Sequence, residues 1–133
     1  MRSRDFHIQK EISDWRFVVR YDDGSLYEGG YQNYWRQGDG EQKWPDGNVY
    51  RGNFSEDTPC GKGNYIFSNG DHYSGDFSEG KFNGYGDYQG VDGKSSGHWK
   101  DNQKHGKIKE TFENGEVFEG NPFNYFRLIF AKF

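Results

Sequence analysis

The 133-residue chain has little of what usually builds a small domain: one alanine, one methionine, one cysteine, three prolines and two leucines. With so little leucine and alanine a helical core is excluded. A single cysteine, Cys60, can close no internal disulfide and rules out a cysteine-rich metal site. It follows Pro59 in a loop-like stretch and reads as an incidental thiol rather than a reactive one. No apolar run approaches the roughly 20 residues of a membrane-spanning helix. The opening stretch, MRSRDFHIQKEISDW, has no run suited to a signal peptide. A cytoplasmic protein is therefore expected, free or peripheral to a membrane or a large assembly. There is no surplus of positive charge either. The formal net charge is −4, which argues against a nucleic-acid partner.

What is present is aromatic and periodic. The chain carries 12 Phe, 10 Tyr, 4 Trp and 20 Gly. Each ring can bury about 150–250 Å², so a core of rings is feasible without aliphatic residues. The stretch from Asn69 to Val91, NGDHYSGDFSEGKFNGYGDYQGV, is one copy of a repeat. Its leading glycine recurs as Gly24, Gly47, Gly70, Gly93 and Gly115, with intervals of 23, 23, 23 and 22 residues. The short interval reflects a residue missing between Gly93 and Gly97. A fixed period of this length marks a repeat architecture. Five units start near residues 23, 46, 69, 92 and 114. Residues 1–22 read as an N-terminal cap and residues 122–133 as an apolar, aromatic tail.

Parity within a unit specifies a β-hairpin. Gly38, Gly40, Gln42 and Trp44 share one face of a strand, and Asn48, Tyr50, Gly52 and Phe54 share one face of the next. A two-residue turn would send the two aromatic sets to opposite faces. A three-residue loop, Pro45-Asp46-Gly47, pairs Trp44 with Asn48, Gln42 with Tyr50 and Gly40 with Gly52, all on one face. Its last residue should adopt a left-handed conformation, which suits Gly47. The next junction sets Tyr65 opposite Tyr73 and Gly63 opposite Gly75. Facing glycines leave a trough into which rings such as Tyr50 and Phe54 can lean. The polar six-residue stretches QNYWRQ, SEDTPC, SEGKFN and KDNQKH read as a second class of loop on the other edge, where partner selectivity could sit.

The ends depart from this pattern. Trp15, Phe17, Val19 and Tyr21 alternate as one buried face of a strand, after a polar start with room for a short strand. In the fourth unit Ser95 or Ser96 takes the tyrosine slot, Gly90 an aromatic slot and Ile108 the second glycine slot. That unit is rich in lysine: Lys94, Lys100, Lys104, Lys107 and Lys109 form a candidate patch for an anionic partner, or else a solvated strand edge. In the tail, Phe126, Leu128 and Phe130 either cap the last hairpin as strand or helix or form an exposed assembly element.

The pattern Asp/Asn-Gly-x-x-Tyr-x-Gly-x-aromatic followed by Gly-x-Gly resembles the MORN repeat (membrane occupation and recognition nexus). The matching residues are Tyr27, Gly29 and Tyr31; Tyr50, Gly52 and Phe54; Tyr73, Gly75 and Phe77; and, with fewer identities, Gly97 with Trp99 and Phe118 with Gly120. The resemblance covers about residues 14–121. It implies an all-β fold: an elongated array of antiparallel β-hairpins, about five units, forming one twisted sheet with a groove. It also implies scaffolding and assembly roles, some of them at membranes, and no catalytic residues within the repeat.

No catalytic constellation accompanies the repeats. The glycines follow the 23-residue phase rather than a phosphate-binding loop. His7, His72, His98 and His105 do not stand at metal-ligand spacing. No enzyme, cofactor or metal is expected. The leading expectation is a protein-interaction or structural module that binds a partner or self-associates. Its candidate groove residues are Tyr27, Tyr31, Tyr50, Phe54, Tyr73, Phe77 and Trp99, unless those rings are simply the core. The alternative is phospholipid head-group binding through the basic fourth unit with Arg127 and Lys132. A third is a small-ligand or glycan site made of paired aromatics.

Overall fold

The computed structural model describes residues 6–13, 15–121 and 127–130. They form twelve strands in one antiparallel sheet, and the spatial order of the strands is their order in the chain. Strands β1 (Phe6–Ser13) and β2 (Arg16–Tyr21) open it. Three full hairpins follow: β3 (Leu26–Gln32) with β4 (Trp35–Lys43), β5 (Val49–Ser55) with β6 (Thr58–Ile66), and β7 (His72–Ser78) with β8 (Lys81–Gln89). The fourth is β9 (Gly93–Lys100) with β10 (Gln103–Phe112), and β11 (Val117–Gly120) and β12 (Arg127–Phe130) close the sheet.

The register between units is the one that parity requires. Gln42 faces Tyr50, Gly40 faces Gly52, Tyr65 faces Tyr73 and Gly63 faces Gly75. Trp44 N–H donates to Asn48 O across the three-residue loop, and Gly47 closes that loop with φ of 98°. The acidic or amide residue of each loop has a definite task. Asp46 Oδ1 accepts from Asn48 N at 2.9 Å, and Asn69 Oδ1 accepts from Asp71 N at 2.9 Å. These side chains mimic a turn of backbone and stiffen the loop.

The six-residue polar stretches are not loops. Strand pairing continues through Gln32–Trp35, Ser55–Thr58, Ser78–Lys81 and Lys100–Gln103, leaving only two-residue turns. Both central residues of each turn have positive φ: Asn33 and Tyr34, Glu56 and Asp57, Glu79 and Gly80, Asp101 and Asn102. This is the mirror-image turn whose twist matches that of paired strands. Successive turns are tied together, since Asp57, Gly80 and Asn102 each donate a backbone N–H to the carbonyl of Arg36, Pro59 and Phe82 in the preceding unit.

Three further differences have clear causes. Trp15 is not on the buried face of β2: Ser13 pairs with Arg16, so the chain reverses there, and Trp15 stands in the turn with φ of 69°. Gly93 is not a turn glycine. Gly90 N–H donates to Gly93 O, so the fourth junction has a two-residue loop, Val91-Asp92, and the missing residue is missing from the loop itself. Gly93 therefore takes the strand slot held elsewhere by Asn48, and Ser95, paired with Tyr88, takes the tyrosine slot. Of the tail candidates, Leu128 and Phe130 lie in β12, opposite Phe118 and Val117. Phe126 lies outside the described residues.

The two glycines of each Gly-x-Gly do different work. The first, as at Gly61 with φ of 66°, sits in an irregularity where β6 carries extra residues relative to β5. The second lies beneath a tyrosine. A Cβ on Gly63 would come within 2.5 Å of the Tyr50 hydroxyl and 2.6 Å of its ring. The ring is pinned there because its hydroxyl donates to Asn53 O at 2.8 Å. Tyr27 and Tyr73 repeat the arrangement, donating to Gly30 O at 2.7 Å and Asp76 O at 2.9 Å. One face of the sheet is thus a continuous layer of rings seated on glycine.

Candidate functional site

All seven candidate groove residues lie in this layer, and all are buried. Tyr27, Tyr50 and Tyr73 are 0% exposed, and Tyr31, Phe54, Phe77 and Trp99 no more than 6%. Their edge-to-face contacts run from unit to unit: Tyr27–Phe54 at 5.1 Å, Tyr50–Phe77 at 5.0 Å and Tyr73–Trp99 at 5.6 Å between centroids. In the isolated chain these rings are core.

The accessible rings stand beside them, toward the three-residue loops. Trp44, Tyr65, Phe67 and Tyr88 are each half-buried and packed against the core. They form an unbroken row, with centroids 5.6 Å apart for Trp44–Tyr65, 4.8 Å for Tyr65–Phe67 and 5.8 Å for Phe67–Tyr88. Parity placed Trp44 and Tyr65 on the aromatic face, but parity alone does not rank rings by exposure. The available signal was position: these rings flank the loops, whereas the tyrosines over glycine sit mid-strand.

Both ends of the face turn polar. In the first unit Arg36 and Gln42 occupy slots that hold Pro59 and Tyr65 in the next. Arg36 Nε donates to Asp57 Oδ1 at 2.7 Å, Nη2 to Asp57 O at 2.7 Å and Nη1 to Gln42 Oε1 at 2.9 Å. Its guanidinium also lies over the Tyr21 and Phe54 rings, 5.7 and 5.1 Å from their centroids. In the fourth unit Lys104 and Glu110 take the same two slots. Lys104 Nζ donates to Glu110 Oε1 at 2.6 Å, and Ser95 Oγ donates to Glu110 Oε2 at 2.5 Å.

Of the five candidate lysines, Lys104 stands apart from the rest. Lys104 belongs to the aromatic face through Glu110. Lys94, Lys100 and Lys109 alternate with buried Ser95, Trp99, Ile108 and Glu110, and so project from the other face. Lys107 pairs with Glu119. Among the described residues no group of three or more His, Cys, Asp or Glu side chains is placed to hold a metal, and no helix is long and apolar enough to cross a membrane.

Burial also sets the acid–base behaviour of the face. Desolvation pushes the Tyr73 and Tyr88 hydroxyls up to about 12, and raises those of Tyr27, Tyr50 and Tyr65 as well. An unfolded tyrosine ionises near pH 10. Between about pH 10 and 12 the folded chain therefore keeps protons that the unfolded chain has lost. This contribution to stability is complete below pH 10 and fades as pH rises through the folded values. Phenolate absorbance from these rings should appear together with loss of β-sheet circular dichroism in an alkaline titration. Ionisation of these rings near pH 10 with the sheet intact would contradict the burial argument.

The family model for the MORN repeat matches four consecutive segments, residues 27–49, 50–72, 73–95 and 96–117. Comparison with curated proteins gives no match. MORN repeats are a non-catalytic repeat type, generally protein- or membrane-interaction modules. Four consecutive matches, on a sheet whose hairpins keep the same phase, establish that this chain belongs to the MORN-repeat family.

Proposed function

We propose that the chain is a non-catalytic interaction module that captures an extended or helical segment of a partner protein along its aromatic face. The observation that carries this reading is the continuous row Trp44, Tyr65, Phe67 and Tyr88, half-buried and spanning three units. Tyrosine and tryptophan are the residues most enriched where binding energy concentrates. These rings are already held by their neighbours, so little side-chain entropy is lost when a partner covers them. The opposite face instead carries ion pairs such as Arg51 and Lys62 with Glu41 and Asp76, suited to solvent rather than to a dry contact.

The test is a paired substitution of accessible rings, Tyr65→Ser with Phe67→Ser. Partners are captured with the native chain, identified, purified and titrated back. Such a partner should bind the native chain and lose at least tenfold in affinity for the variant, while the variant keeps its circular dichroism. Trp44→Gln, a single change at the far end of the row, serves if the double variant unfolds. Undiminished affinity in a folded variant would remove this face from the interaction.

A further inference from the structure

Two rings are missing from the aromatic face where the third and fourth units meet. The repeat phase calls for a tyrosine where Ser95 stands and an aromatic where Gly90 stands. Ile108 fills only the part of the tyrosine volume that lies over Gly97. Beside Ser95 and Gly90 lies an open cavity of about 430 Å³. Its walls include Phe82, Tyr88, Trp99 and Phe112, and its polar groups include Ser95 and Glu110. Trp99 is fixed in place by its own indole N–H, which donates to Gly86 O at 3.0 Å.

We propose that this cavity takes an organic cation on an apolar stem, namely the guanidinium of an arginine side chain from the partner segment. The lining carries three carboxylates, Asp71, Asp92 and Glu110, against one ammonium, Lys104. Ring faces attract a cation, more so where water is excluded. The Glu110 carboxylate is buried, yet it accepts one bond from Ser95 and one from Lys104. A carboxylate has about four acceptor positions, so capacity remains for the forked donors of a guanidinium. Finally, the chain already seats one guanidinium on this face: Arg36, between the Tyr21 and Phe54 rings and anchored by Asp57. Arg36 and Gln42 occupy the slots that Lys104 and Glu110 occupy here. Lys104 competes for the same carboxylate, but its side chain is 39% exposed and can swing into solvent.

The proposal rests on reading the aromatic face as a partner surface, and it is tested separately from that reading. The full chain is titrated with N-acetyl-arginine-amide and with its neutral isostere N-acetyl-citrulline-amide, following the Trp99 indole N–H by NMR. Saturable shifts are expected for the arginine probe, with binding at least tenfold weaker for citrulline. Glu110→Gln should weaken the arginine probe at least tenfold. Lys104→Gln should tighten it severalfold, because it removes the internal competitor. The capped probe should bind better than free L-arginine; the reverse order overturns the assignment to a partner side chain. Equal binding of citrulline, no saturable shift up to the solubility of the probe, or an unchanged affinity in Glu110→Gln overturns the site. The arginine–citrulline comparison on the native chain decides the matter even if a variant fails to fold. Trp44→Gln, at the far end of the ring row and outside the cavity lining, should leave this titration unchanged, so failure of the cavity and failure of the ring row are told apart.

Discussion

Replacing Tyr50 by serine should cost about 3–5 kcal/mol, the range for truncating a buried aromatic. The side chain is fully buried and makes edge-to-face contacts with Phe54 at 5.1 Å and with Phe77 at 5.0 Å. Phe77 belongs to the next unit, so the loss is felt across a unit boundary. The hydroxyl's bond to Asn53 O goes as well. Domains of this size are stable by only about 5–15 kcal/mol, so the urea midpoint should fall by roughly a fifth or more. Tyr85→Ser is the matched control, because Tyr85 is 53% exposed and surface changes usually stay within about 0.5 kcal/mol. Both variants should be unfolded with two independent probes, since repeat arrays can lose cooperativity. A cost below about 1 kcal/mol at Tyr50 would mean that the ring layer is not the core.

Gly63→Ile should be nearly as damaging, by the opposite mechanism. Its Cβ alone would meet the pinned Tyr50 ring at 2.5–2.6 Å. Overpacking of this kind costs typically 1–3 kcal/mol, and a β-branched side chain against an immobile ring belongs at the top of that range. The fourth unit shows the remedy. There Ser95 replaces the tyrosine and Ile108, fully buried, replaces the glycine. The two departures from the repeat are one exchange, in which a large residue on one strand and a small one on the next trade places. The double variant Tyr50→Ser with Gly63→Ile should therefore be more stable than the sum of its single changes by about 1–3 kcal/mol, within the range for residues in contact. A double-mutant cycle in urea measures this. Additivity within about 0.5 kcal/mol would show that Ser95 and Ile108 are unrelated substitutions.

These two residue pairs also show how far the sequence could be read. The period, the parity and the left-handed glycine at Gly47 fix the strand register without any coordinates, because side-chain direction alternates strictly along a strand. Ser95 and Ile108 could be seen as departures, but not as partners, since their meeting depends on which strand slot Gly93 occupies. That slot depends on a two-residue loop at Val91-Asp92 that breaks the turn pattern of the other units. The turns at Glu56-Asp57 and Glu79-Gly80 were hidden because only one of their two central residues is a strong former of mirror-image turns. The seven candidate rings were legible as one face. Core and groove stood as two readings of them, because their burial arises from rings in the next unit covering them. Arg36 gave no sign that it lies among rings, since its slot holds proline or phenylalanine in the interior units.

The strand order carries a kinetic consequence. Each strand between β1 and β12 pairs with the strand before it and the strand after it, with no crossover. From β1 to β11 the turns that join them are two or three residues across, so closing each contact costs little loop entropy. Sheets usually fold slowly because distant segments must find one another first. Here no segment waits for a distant one. Each hairpin can form as soon as its residues leave the ribosome, against a hairpin already in place, and the sheet can grow from the N-terminus in step with synthesis.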